Sequence, residues 1–595
     1  MPPTAVMSAI GGNAMSEKEQ EDINRMLNYS SSSLSSNDDD ADVDVEKRQA
    51  YEEAKRQFEV EMKRREKELD CDLSTILQPV DLSRREQKLH QAAKENDAAT
   101  IRALYSQNSK EINSKNNLDR TPLHWAAANG NMEAVQALIE GGADLEGKDK
   151  YGMRPVLWAA WFGHLPVLKA LIRSGATPLC SNKQGLSIVH CAAENNHVDV
   201  MNFILESLEG INVNEVDKND RTPLHLAADN GHLEAVCKLL ESKGEVHRKD
   251  KNGETAVHLA ATKGHADVLR SLLLVGIEVD DRDVEGRTAI HAAAENGHKE
   301  IVDMLLDYMA SPDVETIQIS INTCTHQKHM QLREITPLHL AATHGFGDIC
   351  QSLIKVGCNV DAQNFQGNTA LHMAALGNHK TVALTLVDAK CELDLPNHRL
   401  QTALHLAVEN GYLDVVEVLL AGGASLEARE KTGKTPLQLA SRGSFVAIVD
   451  MIIKAERYYA IARDYHDSDL GYVDPHLYLR RPAHPSALQM KDVMWKLATK
   501  HLKPTDWKKL AVHWKFTPEH LRAIEHQYTG TNSYKEHGYR LLMIWLHGIR
   551  KDENVMKKLF EALVATDRRQ LAESIRRKAN LQAEKPCSPS FCAVS

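Results

Sequence analysis

Histidine is the residue type in this 595-residue chain that most readily suggests catalysis or metal binding, since an imidazole can transfer protons near neutral pH or bind a transition metal. Of the 29 histidines, fifteen recur at two fixed places in a repeating pattern. A repeated imidazole beside a capping hydroxyl is a local hydrogen-bonding device, so we interpret all fifteen as structural. Nine lie in a motif of the type Thr-Pro-Leu-His (His90, His124, His190, His225, His258, His291, His339, His372 and His405), and six follow Gly or Asn (His164, His197, His232, His265, His298 and His379).

The remaining residues that could support chemistry do not form a recognisable site. Cys324, His326 and His329 are metal-capable residue types, but they lack a fourth ligand at a usual spacing. The ten cysteines contain no CxxC pair, so we expect reduced thiols. No segment outside the repeats pairs a nucleophile with a base, carries a phosphate-binding loop or pairs two acids. The sequence therefore predicts a non-enzymatic chain without a metal or cofactor.

The positions of these histidines reflect an internal repeat that covers most of the chain. The motif begins at residues 121, 154, 187, 222, 255, 288, 336, 369, 402 and 435, which gives a period of 33 with one insertion, between Ala310 and Glu334. A weaker copy around Leu89 and His90 precedes the series, so we count eleven units. Such a unit cannot bury its apolar face alone, and stacking of neighbours is required for a core.

The motif and its period resemble the ankyrin repeat, over residues 84–457. The resemblance implies a solenoid of helix-turn-helix repeats with β-hairpin fingers, which binds proteins through its concave surface. The Thr of each motif is suited to cap the first helix, and the following Pro suits its first position.

Trp161 and Phe162 are the candidate partner-binding residues of the array. In most units the two residues after the Ala-Ala pair are polar, and in the ankyrin family this position lies towards the concave groove. Large aromatic side chains there are typical of binding hot spots. The alternative is that they pack on the insertion or on an N-terminal helix. Trp125 and Trp158, one place after the histidine slot, are expected in the core.

A second module follows the array at residues 487–580, where the 33-residue period stops. Six short amphipathic helices are predicted, at 488–501, 505–514, 518–527, 533–550, 553–565 and 567–579, which gives an all-α bundle. The order of its tryptophans and leucines resembles a death domain. We expect Trp507, Leu510, Trp514 and Trp545 in its core.

An ankyrin array followed by a death domain resembles the ankyrin repeat and death domain-containing protein 1 family. The resemblance implies an all-α-dominated intracellular scaffold or adaptor in signal transduction such as apoptosis. Residues 487–578 carry 19 basic and 10 acidic residues, a net +9, which leaves −20 for the rest of the chain. We therefore expect the death domain to bind an acidic helical face of a partner, its own array or a second copy. Nucleic acid is not expected, since neither a recognition helix nor an aromatic stacking platform is present.

The remaining segments are predicted as connections and tails. Residues 1–44 form a Ser- and Asp-rich leader that we expect to be disordered, with Ser35 and Ser36 as candidate phosphorylation sites before acidic residues. Residues 45–83 are predicted as a charged helix and linker, and residues 458–486 as a linker.

The last predicted segment, residues 581–595, is a flexible tail. It ends Cys592-Ala-Val-Ser, which fits a farnesylation motif, and Cys587 is a candidate for palmitoylation. The alternative to a cytoplasmic adaptor is therefore one tethered to a membrane by lipid. No apolar run approaches the length of a membrane span, so membrane association is expected only with lipidation.

Overall fold

The computed structural model describes residues 83–106, 109–316, 334–464, 479, 487–549 and 553–583. These residues form two compact units, divided between Ser311 and Pro312. The predicted Ser35, Ser36, Cys324, His326, His329, Cys587 and Cys592 sites all lie outside the described residues.

The first unit is a series of helix pairs, one pair for each copy of the motif. A short 3-10 turn, Ser109–Asn113, follows the first pair. The helices are α1 (Arg84–Glu95), α2 (Ala98–Tyr105), α3 (Pro122–Ala128), α4 (Met132–Glu140), α5 (Pro155–Trp161), α6 (Leu165–Arg173), α7 (Ile188–Glu194), α8 (Val198–Ser207), α9 (Pro223–Asp229), α10 (Leu233–Glu241), α11 (Ala256–Lys263), α12 (Ala266–Leu274), α13 (Ala289–Asn296) and α14 (Lys299–Asp307).

The second unit contains four further helix pairs and the C-terminal bundle. The pairs are α15 (Pro337–His344), α16 (Gly347–Val356), α17 (Ala370–Gly377), α18 (Lys380–Asp388), α19 (Ala403–Glu409), α20 (Leu413–Gly422), α21 (Pro436–Arg442) and α22 (Val446–Asp464). The bundle consists of α23 (Ala487–Lys496, continued by a π-helical turn, Leu497–His501), α24 (Asp506–His513), α25 (Pro518–His526), α26 (Ser533–His547), α27 (Val555–Ala565) and α28 (Arg569–Ala583). The predicted fold class, an ankyrin-type solenoid followed by a six-helix bundle, is confirmed.

Most units build their first helix from contacts of the same kinds, as α9 shows. Pro223 occupies the first turn, where its missing N–H is not needed. The adjacent Ala227 and Ala228 are fully buried, and α9 packs directly on α11 of the next unit. Gly231 then reverses the chain at φ +76°, and a β-carbon there would lie 2.5 Å from the ring of His265 in that next unit. The small residues of the motif are therefore required by close packing between neighbouring units.

The fingers between units are tight turns, whereas β-hairpins were expected. In one finger Asp250 Oδ1 accepts the backbone N–H groups of Asn252 (2.8 Å) and Glu254 (2.9 Å). The N–H of Lys251 donates to the carbonyl of Asn219 in the preceding finger (3.0 Å). In the described part of the chain, pairing of the β type is limited to an isolated bridge, Ser181 with Ser187. In other fingers an Asp or Asn side-chain oxygen closes the turn in the same way, as Asp217 and Asn364 do, so no strand ladder is needed.

The insertion leaves the finger on either side of it intact. Thr316 donates its N–H to the carbonyl of Ile335 (3.1 Å), and the carbonyl of Thr316 accepts the N–H of Glu334 (3.0 Å). Its hydroxyl accepts the N–H of Ile335, also at 3.1 Å. The second unit therefore begins with a closed finger from which the insertion leaves and to which it returns.

The last helix of the array, α22, is longer than predicted. It continues to Asp464, whereas the linker was expected to begin at 458. No proline or glycine occurs between Val446 and Asp464, and the hydroxyl of Tyr459 donates to the carbonyl of Leu420 on α20. The contacts with the bundle lie on the part of α22 before this extension, at Asp450, Glu456 and Arg457.

Candidate protein-interaction sites

The structure gives the repeated histidines two sets of fixed partners. In the first set, His124 Nδ1 accepts the backbone N–H of Thr121 (3.0 Å), and its Nε2 lies 3.1 Å from the carbonyl of Met153 in the next unit. In the second set, His265 Nε2 lies 3.1 Å from the carbonyl of Asp229 in the preceding unit. His90 has no such partner for Nδ1 among the described residues. In the other imidazoles of the first set Nδ1 must accept, so they are neutral and donate through Nε2. They connect neighbouring units and have no position left for a metal or substrate.

Burial agrees with this neutral state. Burial lowers the pKa of His190 and of His339 to about 4. This effect is larger than the opposite effect of their hydrogen bonds to carbonyls of the next unit, which raise the pKa. These side chains are therefore uncharged at neutral pH and cannot serve there as proton donors in the charged form.

Trp125 and Trp158 form the centre of an aromatic row on α3 and α5. Both indoles are only half-buried, so the expectation that they lie in the core is wrong. The same slot holds Cys191 and Leu226 in the next two units, where those smaller side chains are buried. An indole is larger than the space between neighbouring first helices, so part of each ring remains at the surface.

Two cations lie along these rings. Lys94 Nζ is 3.9 Å from the centroid of the Trp125 ring, and the guanidinium of Arg120 is 5.3 Å from Trp125 and 4.7 Å from Trp158. Arg120 Nε also pairs with the fully buried carboxylate of Asp149 (3.4 Å). Asp149 Oδ2 in addition accepts the indole N–H of Trp158 (3.1 Å). One carboxylate therefore fixes both the cation and the ring.

The predicted pair Trp161 and Phe162 lies at the end of this row. The Phe162 ring stacks on Trp158, with centroids 5.5 Å apart and planes at 12°. Both Trp161 and Phe162 are half-buried, and the carbonyl of Trp161 accepts a hydrogen bond from His197 (2.9 Å). We name Lys94, Trp125, Arg120, Trp158 and Phe162 the aromatic row. Its two cations, Lys94 and Arg120, were not among the residues predicted from the sequence. Arg120 directly precedes the motif that contains Trp125. A cation at that position lies between the rings of Trp125 and Trp158 in two consecutive units.

The predicted core residues of the bundle occupy two environments. Trp507 and Leu510 on α24 are buried, and so is Trp545 on α26. Trp514, which follows α24, is only half-buried and stacks on Trp545 with centroids 4.2 Å apart. Asp506, itself buried, pairs with Arg568 at 2.7 Å and fixes the start of α24 to the turn before α28.

The bundle also touches the last helix pair of the array, within the second unit. Arg540 Nε donates to Asp450 Oδ1 (3.0 Å), and His520 Nε2 lies 2.7 Å from Glu456 Oε2. The guanidinium of Arg457 lies 4.2 Å from the centroid of the Phe516 ring. No local sequence pattern indicates these pairs, because they join residues more than 50 positions apart.

The described residues also lack two other kinds of feature, a membrane-spanning helix and a cluster of metal ligands. No described helix has the length and apolar character to cross a membrane. In that same part of the chain, no three His, Cys, Asp or Glu side chains cluster as metal ligands would.

Comparisons with known families match both modules. A model described as "Ankyrin repeats (3 copies)" matches residues 89–182, 157–250, 243–316 and 313–397, and one described as "Ankyrin repeats (many copies)" matches 386–440. A "Death domain" model matches residues 491–579. Among solved structures, the human ASB11 ankyrin repeat domain is 27% identical, with a TM-score of 0.32. That match covers 37% of this chain and 92% of the ASB11 chain.

Ankyrin repeats and death domains are non-catalytic protein-interaction modules, and their combination supports an adaptor role in signalling. The first model alone covers more than half of the chain, and the death-domain model follows the array in the order expected from the sequence. The chain therefore belongs to the ankyrin-repeat proteins and has the architecture of an ankyrin repeat and death domain-containing protein.

Proposed function

We propose that this chain is a non-enzymatic intracellular scaffold whose aromatic row binds one protein while its death domain recruits another, in signalling of the apoptotic type. The observation that carries the proposal is the row itself: three aromatic rings and two cations on three consecutive units, with Arg120 and Trp158 held by Asp149. Tryptophan and arginine are the residues most enriched in binding hot spots.

The chemistry of the row favours a peptide segment with acidic and apolar side chains. Arg120 and Lys94 offer charge to carboxylates, and the ring faces of Trp158 and Phe162 offer apolar contact area. The rings are already stacked in the free chain, so little side-chain entropy is lost on binding. An intracellular location suits the six described cysteines, all unpaired, because reducing compartments keep thiols free.

Replacing Trp161 and Phe162 by Glu and Asn, residues that other units carry at these places, tests the proposal. Loss of the stack on Trp158 should cost about 0.5–1.5 kcal/mol of stability, whereas loss of a hot spot should cost about 2 kcal/mol or more of binding. Proximity labelling in cells should therefore lose the main partner of the array, while the melting temperature falls only slightly.

The matched control is Leu179→Asn, which removes another exposed apolar side chain of the same unit away from the row. It should leave the labelled proteins unchanged. If W161E/F162N labels the same proteins as wild type, or if it unfolds the array, the row is not a partner site.

A further inference from the structure

The contact between α22 and the bundle buries charged groups that an isolated bundle would leave in water. Arg540 on α26 has only 6% of its side chain exposed. Its Nε donates to Asp450 (3.0 Å), and its Nη2 donates to the same carboxylate and to the carbonyl of Val446 (3.4 Å). Both acceptors belong to α22. A buried arginine needs such partners, because an unpaired charge away from water is strongly destabilising.

A second group of contacts extends this one along the same helix. His520 on α25 is almost fully buried, and its Nε2 lies 2.7 Å from Glu456. Arg457 lies over the ring of Phe516 and donates to the carbonyl of Trp514 (3.1 Å).

Three of the residues of α22 that meet the bundle share one side of the helix, whereas Glu456, one position before Arg457, lies about 100° around the helix from it. Val446, Asp450 and Arg457 are separated by four and seven residues, a spacing that repeats on one helical face. Ile448 and Ile452 lie on the opposite side with Tyr459, whose hydroxyl donates to the array carbonyl of Leu420. Helix α22 therefore presents one face to the array and another to the bundle.

We propose that the bundle surface formed by Phe516, His520 and Arg540 is the helix-binding face of the death domain, and that α22 fills it in cis as a built-in ligand. A signalling partner must then displace α22, which requires an amphipathic helix that offers a carboxylate to Arg540 as Asp450 does. The net charge of +9 on residues 487–578 favours such an acidic helix. This inference rests on the proposed adaptor function, because it names the state from which recruitment starts.

The docking is tested in the full chain with a protease site placed between residues 466 and 478. After cleavage, the array half and the bundle half of wild type should elute together. The variants D450R and R540D should each weaken their cohesion by about 30-fold or more, as removal of one partner of a buried charge pair does. The double variant D450R/R540D should restore co-elution, which a mere folding defect would not.

The matched control is K508E, which makes the same change of charge as R540D on the bundle but breaks the exposed pair of Lys508 with Glu525. Its halves should stay together. If the wild-type halves separate on cleavage, if the single reversals have no effect, or if the double reversal fails to restore cohesion, the cis docking is wrong.

Displacement by a helix is tested with a synthetic peptide of residues 444–464 in which Ile448 and Ile452, which face away from the bundle, are replaced by Gln for solubility. Added to the cleaved chain, it should release the bundle half from the array half, and the same peptide with Asp450→Arg should not. Failure of the first peptide, or equal release by both, would overturn the helix-binding face. Neither result depends on the aromatic row, so a failure of the partner-labelling experiment would remain distinguishable.

Discussion

Single hydrogen bonds determine how the units of this array are joined, and His339 shows how. Its Nδ1 accepts the N–H of Thr336 (3.2 Å) within its own unit, and its Nε2 lies 3.0 Å from the carbonyl of Asn368 in the next. The last unit has Gln438 at the same place, where Oε1 accepts the N–H of Thr435 (3.3 Å). No further unit follows there, so a side chain that caps without reaching forward suffices. The Nε2 bond of the histidine therefore depends on a following unit, whereas the bond to Nδ1 caps the helix of its own unit.

Substitutions of His339 should separate these two roles. His339→Gln keeps an acceptor for Thr336 and loses only the forward bond, so we expect a loss of about 1–2 kcal/mol. His339→Leu leaves both the N–H of Thr336 and the carbonyl of Asn368 unpaired in a buried place, so a loss of about 2–4 kcal/mol is expected. Urea unfolding of the full chain measures the order. Equal losses for the two variants would show that the forward bond alone matters.

At the scale of the elements, the repeated histidines make the helix pairs sensitive to acid. Burial lowers the pKa of His90, His190, His232 and His339 from 6.5 to about 4. Between these values the unfolded chain binds more protons than the folded chain, so the free energy of unfolding falls as the pH falls through this window. In His190 and His339 the charged state is also incompatible with the bond in which Nδ1 accepts the backbone N–H of Ser187 or of Thr336.

We therefore expect the melting temperature of the full chain to decrease steeply between about pH 6.5 and pH 4 and to change little above pH 7. Thermal unfolding followed by circular dichroism across this range measures it. His339→Gln removes one of the titrating groups and should make the slope shallower at a lower starting stability. A melting temperature that stays constant down to pH 5 would contradict the neutral assignment of the histidines.

Local signals in the sequence were sufficient for most element boundaries. The predicted helix at 518–527 is observed at Pro518–His526, because the Thr517 side chain caps it and Pro518 occupies its first position. The helix predicted at 553–565, directly after Asp552 in the sequence, begins instead at Val555, where the Asn554 side chain accepts the N–H of Lys557 (3.0 Å). Either acidic or amide side chain can cap a helix, so composition alone does not choose between adjacent candidates.

Contacts between residues far apart in the sequence could not be predicted from such local signals. Arg540 and Asp450 are 90 positions apart, and neither belongs to a periodic pattern. The aromatic row is an intermediate case. Phe162 was found as a departure from the polar pattern of other units, but Arg120 becomes visible only when a cation between two rings on consecutive units is considered. Of the residues in the aromatic row, the sequence therefore indicated Phe162 as a candidate for partner binding and did not indicate the cations.

For the whole molecule, long-range and short-range electrostatics should govern different steps of docking. The basic residues 487–578 and the acidic remainder of the chain, +9 against −20, attract each other over distances that salt screens. The Arg540–Asp450 pair is buried at the contact, where salt has little access. The association rate constant should therefore depend on net charge, and the dissociation rate constant on the buried Arg540–Asp450 pair.

The rates at which the two cleaved halves recombine and separate test this division. Raising the salt from about 0.1 M to about 1 M shortens the screening length from about 10 Å to about 3 Å, so the association rate constant should fall steeply while the dissociation rate constant changes little. R540D should instead raise the dissociation rate constant at every salt concentration, and K508E should affect only association, because the pair it breaks is exposed. Surface-immobilised array half and flowing bundle half would give both constants. A dissociation rate that rises with salt as steeply as association falls would mean that the pair is open to water, and that the closed state depends on net charge alone.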